Sequence, residues 1–189
     1  MRKSLALLAL LLALLSLAAT PTLAQSWQSR VATDLPLLGH RNWILIVDSA
    51  YPEQVGPGIE TFETNADQLA VVREVLGQIQ NSIHVSPSVF LDAELSYVPD
   101  QEAPGVSDYR AKLTSLLGDY QVHSRLHQTL IDEVAKDGAQ YHVLILKTRL
   151  TIPYTSVFIH LDCKYWSASN ERGLRESMGA HALPTHPRQ

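Results

Sequence analysis

The chain has a single cysteine, Cys163, which excludes an intrachain disulfide. A domain of this length does not need one, because it can bury a core of its own. Cys163 sits in an apolar stretch and reads as a small core residue rather than a nucleophile. An excess of positive charge is also missing. The 15 Lys and Arg are outnumbered by 19 Asp and Glu, for a formal net charge of −4. That balance argues against a nucleic acid or an anionic membrane surface as partner. Internal repeats and low-complexity segments are absent. So are a Gly-rich phosphate loop, a Gly-x-Ser-x-Gly nucleophile elbow and a Cys/His dyad. His123 and His127 stand four apart and could supply half of a zinc site on a helix. The sequence offers no obvious third ligand and no metalloprotease glutamate after His123. Neither a metal nor another cofactor is expected.

Long hydrophobic runs are scarce, with one exception at the start. Residues 5–19 are apolar except for Ser16. At about 15 residues the run falls short of the roughly 20 that span a bilayer. Met1-Arg2-Lys3 precedes it and Thr20-Pro21-Thr22-Leu23-Ala24-Gln25 follows. Positive charge, apolar run and small residues before a cut make up an export signal. The expected cut follows Ala24, and the alternative is an uncleaved anchor. Export would place the protein in a periplasm or release it. Residues 25–34 read as a linker, 35–178 as one domain, and 179–189 as a disordered tail with two prolines, Pro184 and Pro187.

Trp43-Ile44-Leu45-Ile46-Val47 is a continuous apolar run closed by Asp48. It suits a strand buried on both faces, as in a parallel sheet covered by helices. Residues 49–58 form a loop rich in proline and glycine. Leu69, Val72, Leu76 and Ile79 recur at helical spacing, which predicts a helix over 64–80 capped by Thr64 and Asp67. A strand over 83–95, bent near Pro87, follows. The spacing predicts helix over 108–136, broken near Gly118, with Gly138 as C-cap. Strands are expected over 141–147 and 155–162, and a short helix over 167–178. The fold class is therefore α/β, a single domain with a largely parallel sheet flanked by helices.

Ligands of such sheets bind beyond the carboxyl ends of the strands. Asp48 stands at one such end, where it either serves a site or caps the next turn. Leu38-Gly39-His40 precedes the first strand, and Pro153-Tyr154-Thr155-Ser156 opens the last. A lone histidine beside a strand is more often a packed or surface residue, so His40 by itself carries little.

The order of these segments resembles the ribose pyranase and fucose mutarotase family (RbsD/FucU). Leu38-Gly39-His40, a polar turn, the hydrophobic strand, Asp48-Ser49-Ala50 and Pro52 match its opening. Residues 71–83 resemble its first helix. Ser124-Arg125-Leu126-His127-Gln128-Thr129-Leu130 resembles the start of its second, and Pro153-Tyr154-Thr155-Ser156 its closing segment. The resemblance implies an α/β protein that assembles into rings and interconverts ring forms or anomers of a monosaccharide such as ribose or fucose, without cofactor or metal. His40 would be the main acid/base residue. Asp48 would orient it or bind sugar hydroxyls, and Tyr154 and Ser156 would line the pocket. Ser156 stands where the family usually has asparagine. The link from Lys147 to Pro153 is shorter than in the pyranases, and Lys147 is the candidate replacement for a basic group lost with it. The alternative is a sugar-binding module of the same fold without turnover, and a third reading is an assembly protein that keeps only the fold.

His40 and Asp48 flank one strand. At about 3.3 Å per residue they would stand roughly 20 Å apart. They can share a site only if the His40 loop folds back or if two subunits contribute. The second option agrees with a homo-oligomeric ring with composite sites.

Overall fold

The computed structural model describes residues 26–180. The leader and the stretch 181–189 of the expected tail lie outside them. Six strands form one mixed sheet in the order β2-β5-β1-β6-β3-β4. They are β1 (Trp43–Val47), β2 (Ile59–Glu63), β3 (Val85–Asp92), β4 (Val122–Arg125), β5 (Val143–Lys147) and β6 (Val157–Cys163). β6 runs antiparallel to both its neighbours, and every other pairing is parallel. The helices are α1 (Trp27–Asp34), α2 (Gln68–Asn81), α3 (Val106–Leu116), α4 (His127–Asp137) and α5 (Ala168–Ala180).

The apolar run of β1 is buried along its whole length, because both faces of the sheet are covered. Successive side chains alternate between faces. Ile44 and Ile46 meet the larger core, built with Trp27 and Val31 of α1, Val72 and Leu76 of α2 and Leu113 of α3. Trp43, Leu45 and Val47 meet the smaller one, where Leu130 and Val134 of α4 pack on Ile145 and Phe158. Each fully buried aliphatic side chain contributes roughly 1.5–3 kcal/mol.

Several expectations shift. Residues 27–34, read as linker, form α1 and bury Trp27 and Val31. β2 fills residues 59–63, which fall between the expected loop and the expected helix and were assigned to neither. It is a half-buried edge strand, so its pattern is weak. α2 starts later than expected, with Asp67 as N-cap accepting from the Ala70 amide. Thr64 instead donates to the Lys147 carbonyl. The break near Gly118 is real, but residues 122–125 leave it as strand β4. This short, mostly exposed strand pairs with β3 alone, so its own residues carry no strand pattern. His123 therefore sits on a strand and His127 opens a helix, which dissolves the expected pair on one helix. Pro87 lies in the part of β3 that β4 does not reach, the edge-like position a proline tolerates. Gly138 caps α4 with ordinary right-handed geometry. Glycine is required there because a Cβ would fall 2.4 Å from the Ile59 side chain. Cys163, expected in the core, is half-buried at the end of β6.

Candidate functional site

Parallel strands aligned in one direction bring their carboxyl ends to one edge of the sheet. β1 delivers Asp48, β3 ends on Asp92, and β4 leads directly into His127 at the first position of α4. The loop before β6 adds Tyr154. Asp48, Tyr51, His127, Ile152, Pro153 and Tyr154 line a cavity of about 350 Å³ at this edge. A larger groove of about 670 Å³ lies between α2 and α3, with Arg73 and Lys112 in its walls. No carboxylate or histidine lines that groove, so of these two the smaller cavity is the one equipped for proton transfer.

His127 is held from two sides. Its Nδ1 lies 3.0 Å from Asp92 Oδ1, and its backbone N–H donates to both carboxylate oxygens of Glu94. The Asp92 side chain is wholly enclosed. Burial raises the proton affinity of its carboxyl, and the contact with His127 opposes that rise. The same contact raises the pKa of His127 above its usual value, against the opposing effect of burial. With Nδ1 turned to Asp92, Nε2 is the nitrogen left for a ligand. Tyr51, Tyr154 and Phe158 stand edge-on around the imidazole, with centroids at 6.3, 5.5 and 6.5 Å. Burial raises the Tyr51 hydroxyl well above its ordinary value, which keeps it a neutral donor.

Asp48 is buried and accepts from the Ala50 amide at 2.8 Å. It therefore caps the turn and faces the cavity at once. Tyr154 adopts a left-handed backbone with φ of 59°. For a residue other than glycine this costs about 1–3 kcal/mol, and such strain gathers at functional sites. A buried polar network supports the cavity from below. The Thr148 hydroxyl lies 2.9 Å from both the Val47 carbonyl and the Gln68 side-chain oxygen, and its one proton is shared between these two acceptors. Gln68 donates to Tyr109 and to the Thr155 carbonyl. These bonds tie the strand end that carries Asp48 to the loop that carries Tyr154.

A histidine backed by a carboxylate, a second carboxylate and aromatic edges can exchange protons with a small polyhydroxylated ligand. Among solved structures, the fold is similar to that of Bacillus subtilis RbsD complexed with D-ribose. The TM-score is 0.52 at 16% sequence identity, covering 71% of this chain and 92% of that one. The chain has an RbsD-like fold. The fucose mutarotase in complex with L-fucose from Streptococcus pneumoniae is also similar, with a TM-score of 0.43 and 16% identity, over 73% of this chain and 93% of that one. No protein-family model and no curated sequence matches the chain.

Within this RbsD-like fold, two of the expected site residues meet in the cavity, Asp48 and Tyr154. Three do not line it. His40 is exposed in the loop before β1, at the amino end of the sheet. Its neighbour Arg41 bonds to the Leu161 carbonyl, and no backward fold carries His40 toward Asp48. Lys147 donates to the Tyr51 carbonyl at 2.8 Å, so it braces the wall rather than facing the space. Ser156 is fully buried, and its hydroxyl has no partner among the described residues. The cavity also holds His127 with Asp92 behind it, neither of which was among the expected site residues. The segment Ser124–Leu130 was already similar to the family's second helix, and the histidine inside it was the available signal. Asp92 gave none, because its role depends on a contact 35 residues along the chain.

Proposed function

We propose that the protein is a sugar mutarotase or pyranase that interconverts ring forms or anomers of a free monosaccharide by acid/base catalysis. The observation that carries this reading is the convergence of Asp48, Tyr154 and the Asp92-backed His127 on one cavity at the carboxyl edge of an RbsD-like sheet. Opening a hemiacetal requires a base to take the anomeric hydroxyl proton as the carbonyl forms. An acid gives a proton to the ring oxygen as its bond to the anomeric carbon breaks. Reclosure on either face reverses both transfers. His127 Nε2 suits one transfer, since histidine titrates near neutrality. Asp48 accepts sugar hydroxyls, and Tyr154 offers an aromatic wall.

His40 enters this reading from a neighbouring copy. Its exposure at the opposite end of the sheet supports a ring in which one subunit's amino end meets the next subunit's cavity. The leader supports export, where ring-form exchange would serve a transporter that accepts one form. Mass spectrometry of the exported protein should find Gln25 at its start.

The test is saturation-transfer NMR on ribose, fucose and related sugars. Accelerated exchange that is lost in His127→Ala supports the reading. Exchange that stays at the uncatalysed rate on every sugar overturns it. A sugar-binding module without turnover is the second reading, favoured by Ser156 lying buried away from the cavity. It predicts calorimetric binding of a sugar with no faster exchange.

A further inference from the structure

At the other end of the molecule from the sugar cavity, three side chains with metal-ligating atoms converge. Asp34 closes α1, Glu60 lies on the edge strand β2, and His142 immediately precedes β5. One ligating atom from each lies within 4.8 Å of the other two. We propose that Asp34, Glu60 and His142 form a zinc site, with one position open to water, that fastens α1 to the β2–β5 edge of the sheet.

The first argument is the donor set. Two carboxylates and one imidazole are ligands that zinc takes readily, with water completing a tetrahedron. Zinc bonds of about 2.0–2.2 Å put ligand atoms roughly 3.4 Å apart. Rotation of the half-buried side chains closes the remaining gap.

The second argument is an orphan. His142 Nε2 is buried and has no hydrogen-bond partner among the described residues. Buried polar atoms are normally paired. The backbone around this histidine is fixed, because its carbonyl accepts from the Asn42 side chain and from the Trp43 amide. These bonds hold the backbone that carries the imidazole and leave the buried nitrogen unused. A metal ion is a partner that would use an imidazole nitrogen next to two carboxylates.

The third argument is charge. Arg30 pairs with Asp34 at 2.6 Å and also with Glu60. It uses Oδ2 of one carboxylate and Oε2 of the other, which leaves each acid a second oxygen. One guanidinium meets two carboxylates, and Asp34 also sits at the negative end of the α1 dipole. The cluster is short of positive charge. Carboxylates that bind metal through one oxygen are commonly held through the other by a hydrogen-bond donor, and Arg30 occupies that place.

Mature full-length protein, stripped with chelator, is titrated with zinc by calorimetry. The expected result is one tight zinc per chain, with affinity reduced at least tenfold in His142→Ala and in Glu60→Gln. Zinc should raise the melting temperature of the parent protein and leave both variants unmoved. Cobalt substituted at the same stoichiometry should give the visible absorption of a tetrahedral nitrogen and oxygen site. Glu60 is partly exposed, so Glu60→Gln keeps the test decisive even where His142→Ala folds poorly. The absence of stoichiometric zinc overturns the proposal. So does zinc bound with undiminished affinity in Glu60→Gln, since the ion would then sit on other histidines.

Discussion

His127 Nδ1 lies 3.0 Å from the carboxylate of Asp92, whose side chain has no exposure to solvent. An enclosed acid beside a half-buried imidazole makes each group depend on the other's charge. Removing the acid should therefore move the titration of the base. Asp92 raises the pKa of His127, so Asp92→Asn should lower it. If neutral His127 is the active form, the acidic limb of the kcat/KM profile shifts to lower pH and kcat falls about 10²-fold. A profile whose acidic limb stays in place would separate His127 from the proton transfer.

The same contact predicts how stability depends on pH. A histidine whose pKa is raised on folding contributes stability that is complete below its unfolded value of 6.5 and is lost as pH rises through the folded value. His127→Gln should therefore cost more stability at pH 6 than at pH 9. Urea unfolding of both proteins at the two pH values checks this. An equal loss at both would mean that the contact is not charged in the folded state.

Tyr154 combines a strained backbone with a place in the cavity wall. Glycine adopts a left-handed backbone without the penalty of about 1–2 kcal/mol paid by other residues. Tyr154→Gly should leave the protein as stable as the parent or up to about 1 kcal/mol more so, while weakening sugar binding. Denaturant unfolding paired with calorimetry reads both effects. A clear destabilisation would assign the tyrosine to packing instead.

Gln68 is almost fully buried and joins Tyr109, Thr148 and the Thr155 carbonyl. Gln68→Leu keeps the volume and strands these partners. The expected cost is about 2–3 kcal/mol, measured as a lower urea midpoint. The loop from Thr148 to Thr155 should loosen as well, with faster amide exchange.

The proposed ring has its own test. His40→Ala and Asp48→Asn each remove one half of a site that two subunits would share. Each variant alone should be inactive. Mixing them through reversible dissociation should restore activity, because some hybrid sites then carry both intact halves. A mixture as inactive as its components would place His40 outside the site.

What was legible in the sequence followed from patterns that are local. Trp43–Val47 is apolar at every position because both faces of β1 are covered, and that reads directly. The helical stripe of α2 and the Asp67 cap read for the same reason. The position of Asp48 read as well, since a carboxylate after a buried strand stands at the carboxyl edge of the sheet, where the cavity lies.

The elements that escaped are those whose residues take their state from distant partners. Val122–Arg125 is a strand only because β3 offers it an open edge. Residues 27–34 form a packed helix only because the sheet face beyond them needs cover.

The site divides along the same line. The α/β class, the buried central strand and the candidacy of Asp48 and Tyr154 could be read from the chain, because each rests on periodicity or on order along it. Tertiary structure alone decided that His127 joins them with Asp92 behind it, and that Lys147 and Ser156 serve the wall and the core. It also sent His40 to the opposite end of the sheet and gathered Asp34, Glu60 and His142 from three distant segments. The physical reason is that these arrangements are fixed by strand order and register, which bring residues together without leaving any spacing in the chain to read.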